Sequence, residues 1–295
     1  MLTDRGVFGI NKYKENKSEF LMKTFKEFLE ERALNIGNKS VSYPKFGNIL
    51  ILAGGAGSGK GFASNRMIAF EGKRFDVDAI KTNLLKFKPA DLSKKFAEQT
   101  GRYLESINLT DPVDASLMHQ FVADNKLDDK ILTTFFMAQA GNPNHKPNVI
   151  MDVTLKNIDK LKEISELAQL GGYDRKKIHI VWIINDFNVS IAQNNARSRT
   201  VSSEIMFKTH IGAAKTMKEL VANSAEYRKY ADGDIWALFN KANVDNKMTK
   251  GQTSFVVDFY TAMRIKKAGQ AANYAEVEQQ IIDKINSYIP SDANW

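Results

Sequence analysis

The chain has 295 residues, no cysteine and four histidines, none of them spaced as H-x₃-H. That excludes a disulfide framework, a thiol nucleophile and any cysteine-based metal site, and it argues against a zinc centre. A formal net charge of +8 favours anionic partners, among them nucleotides, phosphorylated sugars and nucleic acids, without choosing between them.

No apolar run is long enough to span a membrane, and the first residues lack the charged and apolar regions of a signal peptide. The expectation is a cytoplasmic protein with no membrane partner. From Ser18 to Leu34, residues Phe20, Leu21, Phe25, Phe28 and Leu29 fall on one side of an expected helix, with Gly37 as its stop signal. Ile49 to Leu52 reads as a fully buried strand that feeds directly into Gly54, Gly55, Ala56, Gly57, Ser58, Gly59 and Lys60. The spacing fits G-x-x-x-x-G-K, the phosphate-binding loop in which backbone N–H groups wrap a polyphosphate and the lysine reaches its outer phosphates. A helix over Phe62 to Phe70 is expected to add its positive end. Gly61 follows the lysine where a Ser or Thr hydroxyl normally touches Mg²⁺, so metal placement must rely on other groups or on water.

Arg74 to Asp78 reads as a short second strand ending in carboxylates. From about 79 to 147 the connection far exceeds a crossover loop and is read as a helical, substrate-side insertion, with helices around Leu92 to Tyr103 and Lys130 to Ala140. Asn148 to Asp152 is the third strand. Ile158, Leu161, Ile164, Leu167 and Leu170 then mark a helix closed by Gly171 and Gly172, and Lys177 to Ile184 is the fourth strand. Ser190 opens a helical stretch carrying Arg197 and Arg199, followed by a polar segment to Lys208, His210 and Lys215. Asp234 to Asn240 supplies a fifth strand. Beyond it, Val256, Phe259, Tyr260, Met263, Val277, Ile281 and Ile285 are spaced for helices. The expected fold is a doubly wound α/β P-loop NTPase fold: a mostly parallel five-stranded sheet with helices on both faces, plus helical extensions at both ends. The expected domains are an N-terminal extension (1–45), a kinase-like core (46–245) containing the insertion, and a C-terminal extension (246–295).

Phosphoryl transfer asks a protein for positioning, for cations on developing charge and for a group that takes the acceptor's proton. Lys60 is the first cation. Asp78, at the carboxyl edge of the sheet, is the expected base, with helix capping as its plain structural alternative; Asp76 is expected on the other face with a structural or metal-associated role. Asp152 ends the third strand where a metal-side carboxylate belongs, and Thr154 follows in the adjoining loop beside the nucleotide. Arg197 and Arg199 are expected to close over the triphosphate, one or other stabilising the transferred group. His210 is read as a packing residue. The paired lysines and arginines elsewhere lack the aromatic interleaving of a single-strand binding platform.

Together these segments resemble the zeta-toxin group of P-loop kinases, near polynucleotide and adenylate-type kinases. Phe75 to Lys81 is similar to that family's strand ending in a catalytic Asp, Val149 to Thr154 to its acidic strand and threonine, and Ser190 to Arg199 to its lid helix. Gly61 departs from the family's hydroxyl residue. Phe62 stands where adenylate kinases usually have threonine, and Lys208, His210 or Lys215 stands where a second lid arginine is usual. The loop also looks like those of proteins from large tailed phages. The resemblance implies a kinase using ATP or GTP with Mg²⁺. Its acceptor would be a hydroxyl on an anionic small molecule, such as a nucleotide or nucleotide sugar, or on a nucleic-acid end; the protein partner is left open. The alternative is a nucleotide-binding structural or interaction protein without turnover.

Overall fold

The computed structural model describes residues 31–36, 39–44, 46–64, 68, 70–140, 146–195, 201–240 and 261–288. Its centre is a six-stranded sheet in the order β4-β5-β3-β6-β7-β8, formed by β3 (Ile49–Ala53), β4 (Lys73–Asp76), β5 (Val149–Asp152), β6 (Ile178–Asn185), β7 (Ile235–Asn240) and β8 (Thr261–Lys266). The first five are parallel, and β8 joins β7 antiparallel. The chain leaves β3 for β4 and β5 on one side and then crosses to β6 and β7 on the other. The carboxyl end of β3 is therefore the switch point, where doubly wound sheets open a crevice for ligands.

Both faces of β3 are covered, which is why it reads as an unbroken apolar run rather than an alternating one. Ile49, Ile51 and Ala53 join one core, and Leu50 and Leu52 join a second with Ile150, Val181, Ile183, Trp236 and Leu238. Asn148 locks the entry of β3 to that of β5: its Oδ1 accepts from the Asn48 backbone N–H (2.9 Å) and side chain (3.1 Å). After the glycine loop the described part of the next helix is α1 (Lys60–Phe62), with Ala63 N–H closing on Gly59 O; of the expected helix from Phe62 to Phe70, residues 65–67 and 69 lie outside the described residues. Phe62 and Phe70 pack on the second core.

The long connection is helical, as expected: α2 (Val77–Phe87), α3 (Ala90–Thr100), α4 (Pro112–Asp124) and α5 (Leu127–Ala140). Phe96, Met118, Phe121, Leu132 and Phe136 lie in the same buried cluster as Ile49 and Ile51, so these helices extend the sheet's own core. Lys160, in α6 (Ile158–Leu170), ties α5 to α6 by reaching Asp129 at 2.9 Å and Glu163 at 3.0 Å. After β6 come α7 (Phe187–Asn195), α8 (Ser203–Ala222) and the short α9 (Ser224–Tyr227).

Two expectations fail at the ends. The first expected helix lies mostly outside the described residues, and its last part is β1 (Glu31–Ile36), paired antiparallel with β2 (Lys39–Pro44). The register pairs Ile36 with Lys39 across Gly37-Asn38, a dipeptide suited to a two-residue hairpin as well as to a helix stop. At the other end Val256, Phe259 and Tyr260 lie outside the described residues, and Met263 sits in β8, not in a helix. Ala262 enters one core and Met263 and Ile265 the other, so a strand buried on both faces mimics helical spacing. Val277 and Ile281 do fall in a helix, α10 (Tyr274–Tyr288). No described helix is long and apolar enough to cross a membrane.

Opposite the crevice, β7 begins in a buried polar cluster. Lys266 Nζ reaches Asp232 Oδ1 (3.3 Å) and Gly233 O (2.9 Å), and Arg228 also holds Asp232. His179 is 2 % exposed and its Nδ1 accepts the Asp234 N–H at 3.0 Å. Burial, reinforced by the Lys266 charge, pushes His179 down to about 3 from an ordinary 6.5. A histidine depressed on folding contributes its full stability above 6.5 and loses it as pH falls toward 3, at roughly 1.4 kcal/mol per pH unit within that window. Urea denaturation at pH 7 and pH 5 should show a shallower loss in His179→Asn, which retains an acceptor for Asp234 without titrating.

Candidate active site

The glycine loop sits at the carboxyl end of β3. Gly54, Gly57 and Gly59 have φ of 142°, 78° and 91°, a region that favours glycine. Gly57 has no alternative residue: a Cβ there would stand 2.6 Å from Ser190 O and 3.1 Å from Met206 Cε. The loop closes on itself through Ser58 N–H to Gly55 O (3.2 Å), and Gly54 N–H donates to Thr154 O (3.2 Å). Thr154 therefore meets the loop through its backbone. Lys60 curls over the rim, donating to Gly54 O (2.9 Å) and Gly55 O (3.1 Å). Ser58 is fully buried beneath it.

The second carboxylate group stands two strands away. Adjacent strands are about 4.8 Å apart, so Asp78, just past the end of β4, lies roughly 10 Å across the sheet edge from the loop. β4 ends at Asp76, two residues short of the expected strand. Asp76 is the N-cap of α2, its Oδ1 accepting the Asp78 N–H at 2.9 Å. The capping role weighed for Asp78 thus belongs to Asp76. Asp78 stands in the first helical turn, its side chain 44 % exposed, with Lys81 Nζ 3.1 Å from its Oδ1.

Asp76 and Asp152 are register partners on β4 and β5, so their side chains share a face. Burial raises Asp76 above its ordinary value and the charges of Asp152 and Asp78 add to this, while the Asp78 N–H and Arg74 oppose it. Arg74 is the counterion of Asp152, bonded through Nη2 to Oδ2. The same Nη2 lies 4.0 Å from where a Cβ on Gly61 would stand, so a guanidinium neighbours the position usually given to a hydroxyl. On the far side of Asp78, burial and the charges of Lys81 and Lys156 hold His119 of α4 below its ordinary value, against Asp78 and Asp128.

The polar segment after α7 is a 20-residue helix, α8, and it crosses the loop. His210 lies against Gly55 and its Nε2 is 2.8 Å from Ala56 O; Thr209 Oγ1 accepts the Ala56 N–H at 3.1 Å. Sequence reasoning missed Thr209, Met206, Arg74 and Lys81 as site residues. A signal existed for α8, since Met206, Ala213, Met217 and Leu220 recur at helical spacing. Lys208 points outward to Glu204. Arg197 and Arg199, the expected lid arginines, lie outside the described residues. Among the described residues no group of three or more acidic or histidine side chains is placed to hold a metal ion.

No family model matches the chain, and no curated protein does. Among solved structures, the AvrRxo1-ORF1:AvrRxo1-ORF2 complex with ATP aligns at 11 % identity and a TM-score of 0.42, covering 80 % of this chain and 63 % of that one. The PezAT chromosomal toxin-antitoxin system of Streptococcus pneumoniae aligns at 13 % identity and a TM-score of 0.39, covering 83 % and 87 %. This chain thus spans less than two thirds of the AvrRxo1 chain it matches.

Proposed function

We propose that the protein is a phosphotransferase that moves the terminal phosphoryl group of ATP or GTP to a hydroxyl. The observation that carries this reading is the left-handed glycine loop with Lys60 at the switch point of a parallel sheet, faced along the same edge by Asp78. The loop over residues 54 to 61 would cradle the donor's phosphates, with the N–H groups of Gly54, Ala56 and Ser58 bonded within the protein to hold its shape and Lys60 leaving its loop carbonyls for the outer phosphates. The acceptor oxygen attacks the terminal phosphorus, the bridging P–O bond breaks toward the nucleoside diphosphate, and Asp78 takes the hydroxyl proton.

A nucleotide-borne Mg²⁺ is typically held by one or two carboxylates plus the phosphates. Asp152, with Asp76 beside it, fits that need. When bound, the ion would neutralise charge on the transferring group. Arg74 holds Asp152 in place, and Arg197 or Arg199 would add cationic charge over the triphosphate. Lys81 and Lys156 on the Asp78 side suit an acceptor that is itself anionic, a small molecule or a nucleic-acid end.

The test is transfer from γ-labelled ATP across a panel of nucleotides, nucleotide sugars and oligonucleotides, with each candidate repeated at high salt. A labelled acceptor supports the reading; an affinity that falls steeply with salt marks a nucleic-acid end. Tight nucleotide binding with no transfer and no hydrolysis under varied metals would favour the other reading, a nucleotide-dependent interaction protein. Gly61, without its hydroxyl, is the residue that supports that reading.

A further inference from the structure

Ala56 of the glycine loop has both its backbone N–H and its C=O engaged by a single distant helix. Its N–H donates to Thr209 Oγ1 at 3.1 Å and its carbonyl lies 2.8 Å from His210 Nε2. The chemistry at both ends is determined. The Thr209 hydroxyl donates its own proton to Met206 O at 2.8 Å, so a lone pair is left to receive the Ala56 N–H. A carbonyl only accepts, so His210 carries its proton on Nε2 and donates.

The ring itself is held on two sides. Phe187 of α7 packs edge-on at 5.5 Å between centroids, and Gly55 lies so close that a Cβ there would be 2.0 Å from His210 Cδ2. Two residues further along the loop, Gly57 lies against Ser190 of α7 and Met206 of α8. Gly212 continues the contact, fitting α8 against Lys156 in the loop after β5. Two successive helices therefore brace the outer side of the glycine loop.

We infer that Thr209 and His210 are positioning residues that hold the phosphate loop in its nucleotide-ready shape by fixing both polar groups of Ala56. This rests on the phosphotransferase reading for its functional consequence, though not for its structural one. An anion-binding nest works because its N–H groups converge before the ligand arrives; a loop free to relax must be ordered on binding, and that ordering is subtracted from affinity. Both residues contact the loop itself, so their loss acts on donor affinity first.

The decisive experiment pairs variants that keep shape but lose one hydrogen bond with variants that restore it. Thr209→Val removes the acceptor and Thr209→Ser returns it. His210→Leu removes the donor while keeping contact with Phe187 and Gly55, and His210→Gln returns an N–H at similar reach. Hydrogen exchange of the ligand-free protein should show faster exchange in peptides covering 53–62 for the Val and Leu variants, returning toward wild type in the Ser and Gln variants. The KM for ATP should rise about tenfold in each of the first two, a loss equal to ~1.4 kcal/mol, with kcat changed much less. Unchanged loop exchange overturns the inference whether or not the protein binds nucleotide, so its failure is separable from that of the phosphotransferase reading. Tighter ATP binding by Thr209→Val or His210→Leu also overturns it, because the contact would then be a latch that blocks the loop. Thr209→Val is nearly isosteric, and it alone suffices if His210→Leu does not fold.

Discussion

Asp78→Asn is expected to lower kcat for the proposed phosphoryl transfer by about 10²- to 10⁴-fold, the span associated with loss of a positioned general base, with nucleotide affinity near wild type. The asparagine keeps the size of the side chain and a carbonyl oxygen within reach of Lys81, 3.1 Å from Oδ1 in the wild type. It does not add a proton acceptor. Capping of α2 is untouched because Asp76, not Asp78, accepts the first-turn N–H. Melting temperature should therefore hold while turnover collapses. Single-turnover transfer with a saturating acceptor is the measurement, and full retained transfer would remove Asp78 from the chemistry.

Lys60→Ala is expected to act on the proposed nucleotide donor. Its ammonium now rests on Gly54 O and Gly55 O, so deleting it removes two contacts inside the loop and the only loop side chain that bears charge. A hydrogen bond to a charged group contributes about 1.5–3 kcal/mol, so ATP affinity should fall about 10- to 150-fold, with transfer lost at cellular nucleotide levels. Calorimetry on the variant is the check. Equal affinity in the two proteins would place the nucleotide elsewhere.

The glycine loop was legible in the sequence because its backbone demands glycine wherever φ is positive, and that requirement is written one residue at a time. Parallel strands β3, β5, β6 and β7 showed in the sequence as apolar runs, while their order in the sheet did not. Asp78 was placed correctly at the sheet edge but on the wrong element, since alternation along Arg74 to Asp78 cannot reveal that Asp76 ends the strand by capping a helix.

The bracing helix was harder to read. Thr209 and Thr216 occupy buried positions of α8, and polar residues on the inner face disguise an amphipathic helix as a solvated segment. His210 looked like packing, and it does pack, but its partner is the loop backbone. The hairpin Glu31–Pro44 and the strand Thr261–Lys266 were misread for a related reason: short apolar runs satisfy helical and strand templates together, and pairing with a distant strand decides between them.

The loop at residues 54 to 60 is the proposed receptor for a nucleoside triphosphate tail, and every role assigned above depends on it. Titration of the purified protein with MgATP by isothermal calorimetry addresses that directly. Saturable heat with a dissociation constant below a millimolar, abolished or strongly weakened in Lys60→Ala, is the predicted result. Absence of any binding at millimolar ATP and GTP, from protein that remains folded, would contradict it.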